Sequence, residues 1–399
     1  MSNQYELIVI GLGPAGASLL YNAAEKGVKV LGIDKRREIG IPIQCGEFIP
    51  AYSELETLLP ETPSEYLSIF KRVPRNIVLN KTRVVRLYTP YNSIYEVEFK
   101  GLVINRASFD KWLVSKAIEY GAEVYINSSV YKLDSDGGVY VKGFLNGVYK
   151  GDVVAIAAGA SSRLLDQVGL YRESDEYNLA YLAQYVMDGV EFDSDIIEMY
   201  TGSKYAPGAY AWIIPRGGKT ANVGVGIRYP YVNESATLRD YLTRFIKEHP
   251  IASNKLRNAY PVSMVGGVVP VAPPAEKTVS GRFISLGDSA NHVIASLGAG
   301  IVTAVVAGVS ASEAVYKYLN GEAPLDYYES LWRGFIGRVL EDGYKLRLAI
   351  DILTRSDLLI EYGMKILGKK YIWNLVYTKA PKEVDLASLI GRLARDLLS

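Results

Sequence analysis

Gly11, Gly13 and Gly16 form a G-x-G-x-x-G, and Asp34 stands eighteen positions after Gly16. Those residue types at that spacing can hold a dinucleotide. Gly11 permits a tight turn, Gly13 lets the backbone approach a pyrophosphate, and Gly16 lets a helix pack closely on a strand. The helix N-terminus offers free N–H groups and a positive dipole end to phosphates, and Asp34 can accept from ribose hydroxyls. The glycine spacing alone is also that of an ordinary turn. The context decides: residues 5–10 read as a strand, the segment after Pro14 as a helix, and residues 28–33 as a second strand ending on the acid and Lys35.

A second glycine-rich crossover lies far along the chain. Gly287-Asp288 follows an apolar strand, and Gly298-Ala299-Gly300-Ile301 leads into a helix, offering N–H groups to another part of a bound cofactor. Asp288 reads as a ligand for a ribityl or phosphate-linked hydroxyl, or as a helix cap. Arg106 precedes a helix whose N-cap is predicted at Ser108; it is a surface cation or a pyrophosphate clamp. Residues 38–50 are too irregular for a regular element and too apolar for a solvent loop, which suggests packing against a ligand. Cys45 within them is a small buried hydrophobe or a cofactor-facing thiol. Tyr210, Trp212 and Pro215 are core residues or the wall of a shaped cavity.

Composition excludes much. Net charge is +1 over 399 residues, so no global field argues for nucleic acid. One cysteine forbids an internal disulfide and a multi-cysteine metal site, and fits a reducing cytoplasm. Two histidines, His249 and His292, make multi-histidine metal sites and histidine relays unsupported, so no metal is expected. Residues 293–312 carry no charge and have the length of a membrane span; their small side chains read instead as a buried loop and helix. The first apolar run reads as a strand, not a leader.

The expected architecture is α/β: a Rossmann-like, dinucleotide-binding domain (1–172 with 276–323), an inserted antiparallel β-sheet substrate domain (173–275) and a C-terminal helical region (324–399). A β-rich stretch is expected over residues 76–102, and a β-meander over 130–150 with turns at 136–138 and 146–147.

The segments GLGPAGASLL, NRASFDKWL and GDSANHVIASLGAGI together resemble the FAD-binding fold of the p-hydroxybenzoate hydroxylase type, and PIQCGE with YAWIIP resembles the geranylgeranyl reductase family. The resemblance covers most of residues 1–315. It implies FAD contacts at Ala15, Asp34, Cys45, Gly46, Arg106, Val130, Asp288, Gly300 and Ile301, alongside Gly11, Gly13, Gly16, Lys35 and Gly298 of the two turns. Tyr210 and Trp212 would line a cavity for an isoprenoid chain, with Cys45 touching and modulating the flavin. Phe48, Ile214, Asn291 and Ala295 depart from the family pattern. The implied activity is reduction of isoprenoid C=C bonds in archaeal lipid precursors by hydride from reduced flavin N5. NAD(P)H or ferredoxin would be the electron donor, and the enzyme would meet its lipid peripherally at the membrane, with helices around 358–367 and 372–376 admitting a tail. The rivals are a flavin monooxygenase or halogenase, for which Lys71 or Lys81 would have to serve as the catalytic lysine; a quinone-reducing electron-transfer flavoprotein, which would need an iron–sulfur cluster that one cysteine cannot hold; and a non-enzymatic flavin-binding module.

Overall fold

The computed structural model describes residues 3–170, 175–232 and 235–380. The end of the expected C-terminal region, past residue 380, lies outside them, as does the expected boundary at 172–173. Two eight-stranded sheets organise the chain. In chain order the strands are β1 (Gln4–Ile10), β2 (Val30–Ile33), β3 (Phe48–Pro50), β4 (Val78–Tyr88), β5 (Ile94–Ile104), β6 (Glu123–Tyr125), β7 (Ser128–Leu133), β8 (Gly138–Gly143), β9 (Gly147–Ile156), β10 (Leu179–Asp188), β11 (Ile196–Tyr200), β12 (Ala211–Gly217), β13 (Thr220–Ile227), β14 (Tyr260–Pro270), β15 (Val279–Ser280) and β16 (Phe283–Ser285).

The first sheet runs β15-β16-β9-β1-β2-β6, parallel from β16 to β6, with the β7–β8 hairpin joined antiparallel to β9. Its central strand is apolar on both faces, as a parallel strand covered on both sides must be. Leu7 and Val9 face helices Pro14–Glu25, Arg106–Glu119 and Ile301–Leu319, while Ile8 and Ile10 face the meander side with Val139 and Val141. The uncharged segment 293–312 has its explanation here. Ser18 Oγ donates to Val305 O at 3.0 Å, and a Cβ on Gly308 would lie 2.9 Å from Leu19 N. The small residues let two helices approach closely, and among the described residues no helix is long and apolar enough to cross a membrane. Helix Arg106–Glu119 begins earlier than the sequence suggests: Asn105, not Ser108, is the N-cap, its Oδ1 accepting from Ser108 N at 3.0 Å. Asn is a strong cap, and Ser108 sits at the third helical position, whose N–H needs one.

The second sheet runs β14-β10-β13-β12-β11-β4-β5-β3. It is antiparallel except where β4 meets β11 in parallel, Val84 opposite Ile196. Residues 173–275 thus supply only β10–β14; β3, β4 and β5, expected in the nucleotide unit, complete this sheet. The alternating pattern of residues 76–102 identifies strands, but periodicity does not say which sheet they join. One face is covered by helix Leu238–Glu248, entered through a Thr237–Asp240 capping box and burying Tyr241, Leu242 and Phe245. Over β4 and β5 lie helices Arg338–Leu353 and Asp357–Val376, which bury Leu346, Leu353, Ile360, Met364 and Ile372 against Val85, Leu87, Val97 and Phe99.

His292 follows the Asp288 turn and is fully buried, its ring 4.6 Å from that of Trp332. Neither ring nitrogen has a hydrogen-bond partner among the described residues. Burial first, and then Arg333, lowers its pKa from the ordinary 6.5 to about 3. The native state therefore holds it neutral, while an unfolded chain protonates it below about 6.5. Its full stability is present above that pH and is lost on acidification toward 3, at about 1.4 kcal/mol per pH unit. Urea unfolding at about pH 4.5 and 7 should show a deficit of roughly 2–3 kcal/mol at the lower pH that His292→Leu reduces; an unchanged acid arm in the variant would assign the loss elsewhere.

Candidate active site

The two glycine turns converge. Gly11 has φ +93°, and its N–H donates to Ile33 O at 2.8 Å. Gly13 caps helix Pro14–Glu25 with Pro14 at the first position, and Gly300 caps helix Ile301–Leu319. Neither cap carries a side-chain hydrogen bond, so the first N–H groups of both helices are open to a ligand. A Cβ on Gly13 would meet nothing nearer than Arg106 Nη2 at 4.0 Å. Both turns line one cavity of about 1260 Å³. A single small-molecule site occupies about 300–1,000 Å³, so this volume admits a dinucleotide and a second molecule.

Asp34 is buried, and its two oxygens accept from Leu12 N and Arg36 N, each at 2.8 Å. It therefore braces the turn while lining the cavity with Lys35 and Val130. Asp288 lies in the short helical turn Gly287–Ala290, its carboxylate 3.5 Å from the position a Cβ on Gly300 would take. Arg106 is not a surface cation. Its side chain is 15% exposed and makes a two-pronged pair with buried Asp110, Nε to Oδ1 at 2.9 Å and Nη2 to Oδ2 at 3.2 Å. This holds the guanidinium between the Gly13 turn and Cys45. Ala15, Gly46, Gly298 and Ile301 also line the cavity; Gly16 does not. Gly16 is where the helix crosses β1, and a Cβ there would run into Gly11 O.

Cys45 faces the cavity from a loop that the second sheet grips. Gln184 Nε2 donates to Cys45 O at 3.1 Å, and Trp212 Nε1 fixes Gln184 through Oε1 at 2.9 Å. Asn222 Nδ2 donates to Gly46 O at 3.0 Å and to Glu47 Oε2 at 2.9 Å, and Arg216 Nε lies 2.8 Å from the same carboxylate oxygen. Glu47 Oε1 accepts from Arg106 N at 3.1 Å. Burial pushes the Cys45 thiol up, partly offset by Arg106, so it is held as a thiol and not a thiolate. Glu47, Gln184, Asn222 and Arg216 are the residues sequence reasoning missed. Only Glu47 stands in a motif; the others are more than a hundred positions away, and no spacing rule links them. Glu47 is 1% exposed and ties the second sheet to the start of helix Arg106–Glu119. Glu47→Ala should cost about 3 kcal/mol in denaturant unfolding, because it strands the Arg216 guanidinium and takes one acceptor from Asn222. A loss below about 1 kcal/mol would show that the loop is held by other contacts.

Tyr210 and Trp212 pack edge to face, ring centroids 5.9 Å apart, on the cavity wall. Tyr210 OH donates to Leu297 O at 2.5 Å, tying this wall to the second glycine turn, and burial pushes its pKa up to about 12. Pro215 does not line the cavity; Ile214 does. Side chains alternate along β12, so Trp212 and Ile214 share the cavity face and Pro215 takes the other. Beyond this wall the cavity becomes an apolar chamber between the second sheet and the C-terminal helices, lined by Leu87, Phe99 and Met199 on one side and Leu353, Met364 and Ile372 on the other. Lys35 is the one lysine among the described lining residues. Lys71 lies over the Tyr52 ring and Lys81 is exposed on β4, so neither reaches the chamber as a halogenase lysine would have to.

Residues 178–269 match the family model described as the geranylgeranyl reductase catalytic domain. A digeranylgeranylglycerophospholipid reductase of Methanocaldococcus jannaschii is 31% identical over 370 residues, covering 90% of each chain. One from Methanosarcina acetivorans is 32% identical, covering 96% of this chain and 99% of its own. Among solved structures, a geranylgeranyl bacteriochlorophyll reductase-like protein from Thermoplasma acidophilum superposes with a TM-score of 0.83 at 25% identity, covering 98% and 99% of the two chains. A flavin-dependent brominase shares the fold, with a TM-score of 0.74 at 18% identity over 98% of this chain and all of its own.

Proposed function

The chain belongs to the geranylgeranyl reductase family of oxidoreductases, and on that footing we propose that it reduces isoprenoid carbon–carbon double bonds in archaeal lipid precursors with bound FAD. One observation carries the reading: a single cavity joins a dinucleotide cradle to an apolar chamber. When bound, FAD would supply the hydride that reduces the alkene.

The chain's own residues have definable tasks. The two uncapped helix N-termini and Arg106 would receive the pyrophosphate, and Asp34, which braces the turn through Leu12 N, would accept from the ribose. The grip of Gln184, Asn222 and Glu47 fixes the Cys45–Gly46 loop at the junction between cradle and chamber. Tyr210 retains its proton at neutral pH and spends it on Leu297 O, so it orients the wall. The apolar lining excludes water from the reacting carbons and holds them close to the cofactor. NAD(P)H or ferredoxin would supply the electrons, and the enzyme would meet its lipid at a membrane surface.

The test is direct. The purified protein should be yellow, release FAD on denaturation, and, once chemically reduced, add two hydrogens per double bond to a geranylgeranyl lipid by mass spectrometry. A protein that cannot be loaded with FAD, or a reduced holoprotein that leaves every geranylgeranyl lipid unchanged, would overturn the assignment.

A further inference from the structure

The chamber has one charged pole, and the reduction chemistry makes no use of it. Arg228, just beyond β13, and Arg347, on helix Arg338–Leu353, both line the cavity and are 2% and 6% exposed. Asp351, one turn after Arg347, pairs with both. Arg228 donates to its two oxygens, through Nη1 to Oδ1 and through Nη2 to Oδ2 at 3.3 Å, while Arg347 Nε lies 3.5 Å from Oδ2. The two forks also converge on Tyr177 O, Arg228 through Nη2 at 2.5 Å and Arg347 through Nη1 at 2.8 Å, and Arg347 Nη1 reaches Asn178 Oδ1 at 3.4 Å. The rings of Tyr231 and Tyr344 lie 4.9 Å from the respective guanidinium carbons. Both guanidiniums are thereby immobilised.

Their charge is not balanced. Two guanidiniums face one carboxylate, and among the described residues no second carboxylate pairs with either. Among the described residues, Arg228 Nε and Arg347 Nε are both buried without a hydrogen-bond partner. A surplus cation at the end of an apolar chamber is unfavourable unless an anion joins it. Rigid, planar guanidinium forks match phosphate oxygens better than they match any neutral group.

We propose that Arg228 and Arg347 bind the phosphate of the lipid headgroup, with the isoprenoid tails running from this pole into the chamber toward Tyr210 and Trp212. This rests on the reading of the chamber as an isoprenoid site. The consequence is a specificity set at this pole: a lipid that carries a headgroup phosphate binds more tightly than the same lipid without one.

The test uses the FAD-loaded protein and two lipids with identical saturated isoprenoid tails, one ending in glycerol phosphate and one in glycerol. Calorimetry should show the phosphorylated lipid binding at least about tenfold more tightly, the scale of one charge-assisted hydrogen bond. Arg347→Gln should abolish that preference while changing the affinity for the glycerol lipid by less than about twofold. Equal affinities in the wild type would overturn the proposal whether or not the variant folds. Equal weakening of both lipids in the variant would overturn it too, because that is the mark of a structural role. Inorganic phosphate alone should bind far more weakly than the phospholipid; equal or tighter binding would assign the pole to a free anion. Saturated tails need no turnover, so headgroup preference without any double-bond reduction would remove the reductase reading and leave this site standing. Reduction without preference would do the reverse.

Discussion

Gly13→Ala should fold as the wild type does and emerge from purification largely free of flavin. The added methyl meets no protein atom closer than 4.0 Å, and the backbone there, at φ −75°, suits any residue. Its only conflict is with whatever approaches the uncapped helix N-terminus. Displacing a pyrophosphate from two charge-assisted hydrogen bonds costs about 3–6 kcal/mol, a loss of at least about a hundredfold in affinity. Gly16→Ala provides the contrast. Its methyl would collide with Gly11 O, so the turn itself must move, and both stability and cofactor should be lost together. Thermal melts and flavin-to-protein absorbance ratios separate the two behaviours. A Gly13→Ala protein with full flavin content would mean that the phosphates do not lie over this turn.

Leu87→Trp should cripple turnover of long isoprenoids and spare short ones. Leu87 lines the chamber on β4 in the cluster that includes Leu353 and Ile360, away from the Tyr210–Trp212 wall. An indole there takes the space of roughly one isoprene unit. At about 0.8 kcal/mol per buried carbon, five carbons are worth about 4 kcal/mol, so kcat/KM for a geranylgeranyl substrate should fall by several hundredfold. A geranyl substrate, two isoprene units shorter, should change by less than about threefold. Flavin content should be unaffected. Equal losses on both lengths would show that the tail does not occupy this part of the cavity.

The legibility of this chain follows sequence distance. The two glycine turns are readable because their parts are contiguous: glycine turn, helix and Asp34 span one βαβ unit, and the second turn has the same grammar. The polar grip on the Cys45 loop is not readable. Gln184, Asn222 and Arg216 come from strands that reach the loop only once the second sheet is assembled, and none sits in a recognisable spacing. Pro215 shows a finer limit. The motif Tyr-x-Trp-x-Ile-Pro points to a wall, but strand alternation sends Pro215 to the opposite face. The small-residue run 293–312 has the length and neutrality of a membrane span, and only the closeness of two helices at Gly308 gives the reason for its composition.

The parallel seam between β4 and β11 has a consequence for how the chain is made. Val84 must wait for Ile196, and a ribosome delivers the β4–β5 hairpin long before its neighbour exists. During that interval the hairpin presents an open backbone edge to other nascent chains. Neither layer can be excised as a free-standing piece: a fragment ending near residue 170 keeps three strands of a sheet whose other five are missing. Folding is therefore slow to commit, set by the closure of a loop of some hundred residues, and yields should depend on protein concentration and chaperone supply more than native stability would suggest.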